Sequence, residues 1–221
     1  MFKLLIFDWD GTIMDSSARI VSSMQTAAKG LELSVPSSSA IENIIGLSLA
    51  EANKILIPGI SAEDSQRLTD SYSEQYRSLD NTATPLYQEV RETLTSLQAK
   101  GYLLAVATGK SRQGVKRVLE QTKLSALFSL YRGADETKSK PDPLMLAEIL
   151  QQTKVNVAQA IMIGDTSYDL EMAQNIEMAS IAVSYGMHSV ELLKSFNPVA
   201  VVDEFKQIES WLDSQMESES E

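Results

Sequence analysis

Three short apolar runs, Lys3 to Phe7, Tyr102 to Ala107 and Ile161 to Ile163, end in the same way, each with polar residues just beyond the last apolar one. The clusters are Asp8 with Asp10, then Thr108, then Asp165 followed by Asp169. Runs this short that are apolar throughout suit strands buried on both faces, the environment of a parallel sheet. Ligands of open α/β sheets bind outside the carboxyl ends of the strands, so the three clusters meet in one crevice if their strands are neighbours.

The rest of the chain supports such a sheet. After Pro85 a helical segment (Val90, Leu94, Leu97) leads through Gly101 into the second run, and helix and strand then alternate. A helix begins near Arg112, and a weaker strand lies near Phe128 to Tyr131. A further helix opens with Asp142 as N-cap and Pro143 as its first residue. Another begins near Tyr168, strands follow over Ala179 to Val183 and Val199 to Val202, and a last helix surrounds Trp211. From Ser16 to Leu79 the pattern is helical instead. Ile20, Met24, Ala27, Ala28 and Leu31 share a face, and Ile41, Ile44 and Ile45 follow a Ser-rich start. The expected architecture is α/β: a Rossmann-like parallel sheet core (residues 1–15 and 80–213) with helices on both faces, an inserted all-helical cap (16–79) and an acidic, disordered tail (214–221).

Composition narrows the chemistry. The chain of 221 residues has no cysteine and one histidine, His188, which excludes disulfides, thiolate zinc sites and histidine metal clusters. A formal net charge of −11 disfavours a nucleic-acid partner, whose phosphates are held mainly by Lys and Arg. The apolar start is cut short by Asp8 and lacks a signal peptide's length, and no other stretch approaches a membrane span, so a cytoplasmic protein is expected.

Several carboxylates in one crevice repel one another unless a hard cation sits among them, and Mg²⁺ prefers carboxylate and phosphate oxygens. Asp8 and Asp10, two apart, point the same way in an extended chain. One can attack phosphorus while the other protonates the leaving alcohol and later takes a proton from water. Thr108 offers a hydroxyl, the backbone from Gly109 onward can donate to phosphate oxygens, and Lys140 can stabilise charge on the transferring group. Asp165 suits the metal, and Asp169 either a metal-bound water or the orientation of Lys140. Taken singly, each of these aspartates reads as a turn former or cap, and Thr108 and Lys140 as an N-cap and a loop lysine; their ordered series argues otherwise. Thr12 can cap the segment after the first acidic cluster, His188 reads as a rim residue, and Lys110 and Arg112 read as a solvated helix start. Gly46-Leu47-Ser48 reads equally as a helix break or a substrate loop. Two look-alikes fail: position 104, where a P-loop before Gly109-Lys110-Ser111 needs glycine, is Leu104, and Gly46-Leu47-Ser48-Leu49-Ala50 lacks the last glycine of a nucleophile elbow.

Asp8-Trp9-Asp10-Gly11-Thr12, Thr108-Gly109-Lys110, Lys140-Pro141-Asp142-Pro143 and Gly164-Asp165-Thr166-Ser167-Tyr168-Asp169 resemble the four ordered motifs of the haloacid dehalogenase-like superfamily. The helical insert is similar to the cap of its phosphoglycolate phosphatase and beta-phosphoglucomutase group. Trp9 is bulkier than the usual aliphatic occupant, and Leu86-Tyr87-Gln88 lacks a glycine often found before the helix entering the second motif. The resemblance implies Asp8 as nucleophile, Asp10 as acid and base, and Thr108, Gly109 and Lys140 around the phosphate. It places Mg²⁺ on the Asp8 side chain, the Asp10 backbone carbonyl and Asp165, with Asp169 at the metal end. The implied activity is a magnesium-dependent phosphatase acting on a small phosphorylated metabolite through an aspartyl phosphate, as a monomer or small homo-oligomer. The alternatives are a phosphomutase, which keeps every motif, and a non-catalytic binding protein on the same fold.

Overall fold

The structure is a computed structural model, and it describes residues 1–218. Six parallel strands form one sheet: β1 (Leu4–Phe7), β2 (Leu103–Thr108), β3 (Leu130–Gly133), β4 (Ala160–Gly164), β5 (Ala179–Val183) and β6 (Ala200–Val202). Their spatial order is β3-β2-β1-β4-β5-β6, so the chain reverses its direction of travel between β1 and β4. The fully buried β1 lies in the middle, with Phe7 in register with Val106 of β2 and Ile163 of β4.

Side-chain alternation in β1 explains the layering, because successive residues of a strand face opposite sides of the sheet. Leu5 and Phe7 enter one apolar cluster with α5 (Val90–Ala99), α6 (Arg112–Gln121) and α10 (Gln207–Ser218), through Leu94, Val118 and Leu212 among others. Leu4 and Ile6 face the other way, against Met145 and Ile149 of α7 (Leu144–Thr153) and Met172 of α8 (Ser167–Gln174). A smaller cluster seats α9 (Val190–Lys194) by Leu193 against Ala182. The expected α/β core with helices on both faces is therefore observed.

Between β1 and α5 the chain forms α1 (Ser17–Gly30), α2 (Ser38–Glu42), α3 (Leu49–Leu56) and α4 (Ala62–Glu74), the last running into a π-helical turn at Gln75–Leu79. Ser37, Ser48 and Ser61 each cap the helix that comes next, accepting from the backbone N–H three residues on. The insert has its own apolar centre, with Ile20, Met24, Ala27 and Ala28 of α1 against Ile41, Ile44, Ile45, Ala52, Leu68 and Tyr76. Tyr168 and Met187 reach it from the sheet's side.

Two local expectations need correction. The helix after Pro141 starts one residue late: Pro143 is its N-cap, and Asp142 caps through Oδ1, which accepts the Leu144 N–H at 3.0 Å. Residues 214–218 continue α10 instead of being disordered, because Ile208 and Leu212 anchor that helix to the core; residues 219–221 of the expected tail lie outside the described residues. The entrance to α5 keeps the backbone shape that a glycine would favour although none is present: Glu89 lies at φ +57°. No helix among the described residues is long and apolar enough to cross a membrane.

Candidate active site

Because β1 is flanked by β2 and β4, the residues just beyond these strands converge. Asp8 is fully buried, and its N–H donates to the Ile163 carbonyl at 2.9 Å, which fixes it beside the end of β4. Carboxylate oxygens of Asp8, Asp165 and Asp169 all lie within 4.8 Å of one another. Lys140 arrives from the loop before α7, and its buried ammonium donates to Asp8 Oδ1 at 2.5 Å and to Asp169 Oδ1 at 2.7 Å.

The remaining oxygens of this group are held from several elements. Asp165 accepts from the Thr12 hydroxyl at Oδ1 and from the Met187 N–H at Oδ2, both at 2.9 Å. Asp169 Oδ2 accepts from the hydroxyl and the N–H of Thr166, closing a capping box at the start of α8. Asp8 Oδ2 alone is buried with no donor. Thr12 therefore orients a carboxylate from below; it does not cap a helix.

Charge within the group does not balance. Three buried carboxylates face one ammonium, which leaves the group two negative charges in excess. Burial raises Asp8 well above the usual carboxylate range, with the neighbouring acids adding to the shift and Lys140 opposing it. Burial likewise pushes Asp165 up to about 7, helped by Asp169. Lys140 stays charged: burial pulls its pKa down, but Asp169 and Asp8 outweigh that and hold it above the ordinary lysine value. An orphaned oxygen and an uncompensated double charge are what a divalent cation with a preference for oxygen ligands would satisfy, so the residues present fit Mg²⁺. Asp8 and Asp165 are the residues best placed to hold it, with Asp169 committed to Lys140 and Thr166.

Asp10 lies outside that cluster by its side chain. Its Oδ1 accepts from the Ser16 hydroxyl and pairs with Lys110 at 2.9 Å. Lys110 is not solvated: it is nearly covered, its ammonium stands 4.8 Å above the Tyr76 ring, and its hydroxyl partner there is Tyr76 at 3.5 Å. Desolvation pulls the Lys110 ammonium down, and Asp10 more than restores it. Arg112, by contrast, is largely exposed and paired with Glu136, as expected of a helix start.

Thr108 is fully buried at the end of β2, and its hydroxyl accepts the Lys110 N–H at 3.3 Å. Gly109 sits under the insert. A Cβ there would come within 2.5 Å of the Leu47 carbonyl and 2.6 Å of that of Gly46, so glycine is what lets the two parts close. Gly46-Leu47-Ser48 is thus one segment of the insert that meets the core, with the Ser48 N–H also donating to Ser139 at 2.9 Å. At Gly11, with φ +85°, a Cβ would run into the Asp165 carboxylate. His188 is buried instead of lying on a rim. Its Nδ1 accepts the Ser167 N–H at 2.9 Å, which leaves Nε2 to donate to the Asn43 carbonyl of the insert at 3.2 Å.

Thr12 and Met187 were not legible as site residues, since each acts through a contact distant in sequence or through a backbone group, and Ser16, six residues from Asp10, carries no motif signal of its own. Lys110 had one sequence cue, its place directly after Thr108-Gly109.

Fold and crevice together are those of a parallel α/β hydrolase. The chain belongs to the haloacid dehalogenase-like hydrolase family, whose model matches residues 5–183. It is 35% identical over 212 residues to a protein of Dickeya dadantii (strain 3937) called "Probable phosphatase IndB", with 94% of this chain and 92% of that protein covered. To a phosphoglycolate phosphatase of Aliivibrio fischeri it is 30% identical over 213 residues, covering 92% of this chain and 93% of the other. Among solved structures, one described as "a predicted phosphatase from Clostridium acetobutylicum" superposes with a TM-score of 0.87 at 25% identity, over 97% of this chain and 99% of that one.

Proposed function

We propose that the chain is a magnesium-dependent phosphatase that hydrolyses a small phosphate monoester through an aspartyl phosphate on Asp8. The observation that carries this reading is Asp8 itself: a buried carboxylate with one oxygen on the Lys140 ammonium and the other without a donor, between two further acids. Such an oxygen keeps its lone pairs for an electrophile.

In the proposed reaction an Asp8 oxygen forms a bond to phosphorus while the ester P–O bond breaks. The proton of Asp10 goes to the departing alcohol oxygen. Water then attacks phosphorus and gives a proton back to Asp10, releasing phosphate and restoring the Asp8 carboxylate. Lys140 and the backbone at Thr108-Gly109 stabilise the equatorial oxygens as charge builds on them. Bound Mg²⁺, held by Asp8 and Asp165, would supply charge neutralisation at the phosphate. Asp169 keeps the Lys140 ammonium aimed at Asp8 by a bond of 2.7 Å. The 16–79 insert acts as a cap: closed on Gly109, it excludes water while Asp8 is phosphorylated, and it opens afterwards.

Names of the relatives support a phosphatase, and phosphoglycolate is one candidate substrate on that basis. The test is phosphate release from a panel of phosphorylated metabolites with and without Mg²⁺, for the parent chain and for Asp8→Asn and Asp10→Asn. Loss of release in Asp8→Asn with trapping of phosphoenzyme in Asp10→Asn is expected. Parent-level release by Asp8→Asn would refute the proposed nucleophile.

A further inference from the structure

Above Asp10, between cap and core, lies a cavity of about 220 Å³. Its floor is Asp10 with Lys110, and Ile20, Met24, Ile44 and Leu47 of the cap contribute apolar wall. Tyr72 and Tyr76, with ring centroids 5.8 Å apart, close one side. In the proposed reaction this space receives the alcohol part of the ester, because Asp10 must reach the departing oxygen.

Size and polarity of the walls limit what that alcohol can be. An apolar cavity of roughly 150 Å³ accommodates benzene, so this one has room for a six-membered ring and a few further atoms. A two-carbon hydroxy acid would fill a fraction of it and leave the apolar wall at Ile20, Met24, Ile44 and Leu47 without contact. Lys110 offers no free charge to a small anion there, since its ammonium is already matched by Asp10 at 2.9 Å and stacked on Tyr76. Arg77 and Arg117 border the same space, so hydrogen-bond acceptors on the outer edge of a ring are tolerated.

We propose that the preferred substrate is a phosphate monoester of a ring-bearing, largely apolar alcohol, its ring held against Tyr72 and Tyr76. This deepens the phosphatase reading and rests on it. The probes are benzyl phosphate, phosphoglycolate and glucose 6-phosphate, all esters of primary alcohols; the last matches the ring size without the apolarity. The value of kcat/KM for benzyl phosphate is expected to exceed both others by at least about tenfold, the order set by burying a ring in an apolar pocket. Benzylphosphonate should bind correspondingly more tightly than phosphonoacetate in calorimetry with Mg²⁺ present. Tyr72→Ala should reduce kcat/KM for benzyl phosphate at least about tenfold, with an unchanged circular-dichroism spectrum and melting curve as the folding control. Equal or better use of phosphoglycolate or glucose 6-phosphate overturns this inference and leaves the phosphatase reading standing. Absence of phosphate release from every ester overturns both.

Discussion

Removing the ammonium from the acidic crevice and removing one of its carboxylates should act on stability in opposite senses, although either change abolishes the proposed reaction. In Lys140→Met the Asp8, Asp165 and Asp169 carboxylates lose the one cation within bonding distance of two of them. Breaking a buried ion pair from one side costs about 3–5 kcal/mol, because a charge is left without compensation. For a chain of this size each kcal/mol moves the melting temperature by about 2–4 °C, so a fall of about 6–20 °C is expected in metal-free buffer. Asp8→Asn keeps the shape and leaves Lys140 paired with Asp169 at 2.7 Å. Burial raises the pKa of Asp8 in the folded chain, which means that a penalty for ionising it builds as the pH rises from the ordinary carboxylate range to the raised pKa, is full above that pKa, and is gone once the pH has fallen back to the ordinary range. Asn removes the penalty, so its melting temperature should equal or exceed the parent's at pH 8 in EDTA.

The assay is a thermal melt of the three chains at pH 8 with EDTA, with phosphate release measured on the same samples after Mg²⁺ is restored. Working at pH 8 limits the escape route in which Asp8 takes up a proton once Lys140 is gone. A Lys140→Met melt within about 2 °C of the parent would refute the charge accounting, as would an Asp8→Asn melt lowered as far as that of Lys140→Met, given the coupling expected inside a protein.

Mg²⁺ at about a hundred times its Kd should raise the melting temperature by about 5–11 °C, and Asp165→Ala should remove most of that shift; an unchanged shift in the variant would place the ion elsewhere. Gly109→Ala puts a methyl 2.5 Å from the Leu47 carbonyl, so the cap is forced off the core and kcat should fall at least about tenfold, with near-parent kcat refuting the close approach as a requirement. Amide hydrogen exchange in residues 15–20 and 79–85 should slow when a phosphate analogue and Mg²⁺ bind while the sheet is unaffected; identical protection in the two states would count against cap motion.

Much of the core was legible because its signals are local. An apolar run of strand length with a polar residue just past its end recurs three times along the chain, so β1, β2 and β4 and the polar residues beyond them could be read from residue order alone. The weaker β3, expected near Phe128 to Tyr131 and found at Leu130–Gly133, has Arg132 in its middle, and its pattern is correspondingly blurred. The Ser-rich start before Ile41 was clear, but the Asp142-Pro143 start was off by one residue, within the usual ambiguity of helix ends. The amphipathic face of α10 extends past the point where alternating Ser and Glu suggested disorder, because two upstream apolar anchors hold the whole helix.

The features that escaped the sequence lie along the seam between insert and core. Lys110 looked solvated because its covering ring, Tyr76, belongs to the insert, and no periodic pattern links the two positions. His188 looked peripheral for the same reason: its partners, Ser167 and the Asn43 carbonyl, come from opposite sides of that seam. The contacts across the seam include a polar set, Tyr168 and His188 on the Asn43 carbonyl, Ser48 on Ser139 and Lys110 on Tyr76, together with the glycine-permitted approach at Gly109 and the packing of Tyr168 and Met187 against the insert's apolar centre. Polar contacts of this kind can be exchanged for water at little net cost, whereas most of the apolar centres of insert and core would stay buried in a rigid-body movement. A seam so built holds the two parts together without welding them, and it places Lys110, the residue that touches both Asp10 and the insert, where opening of one changes the surroundings of the other.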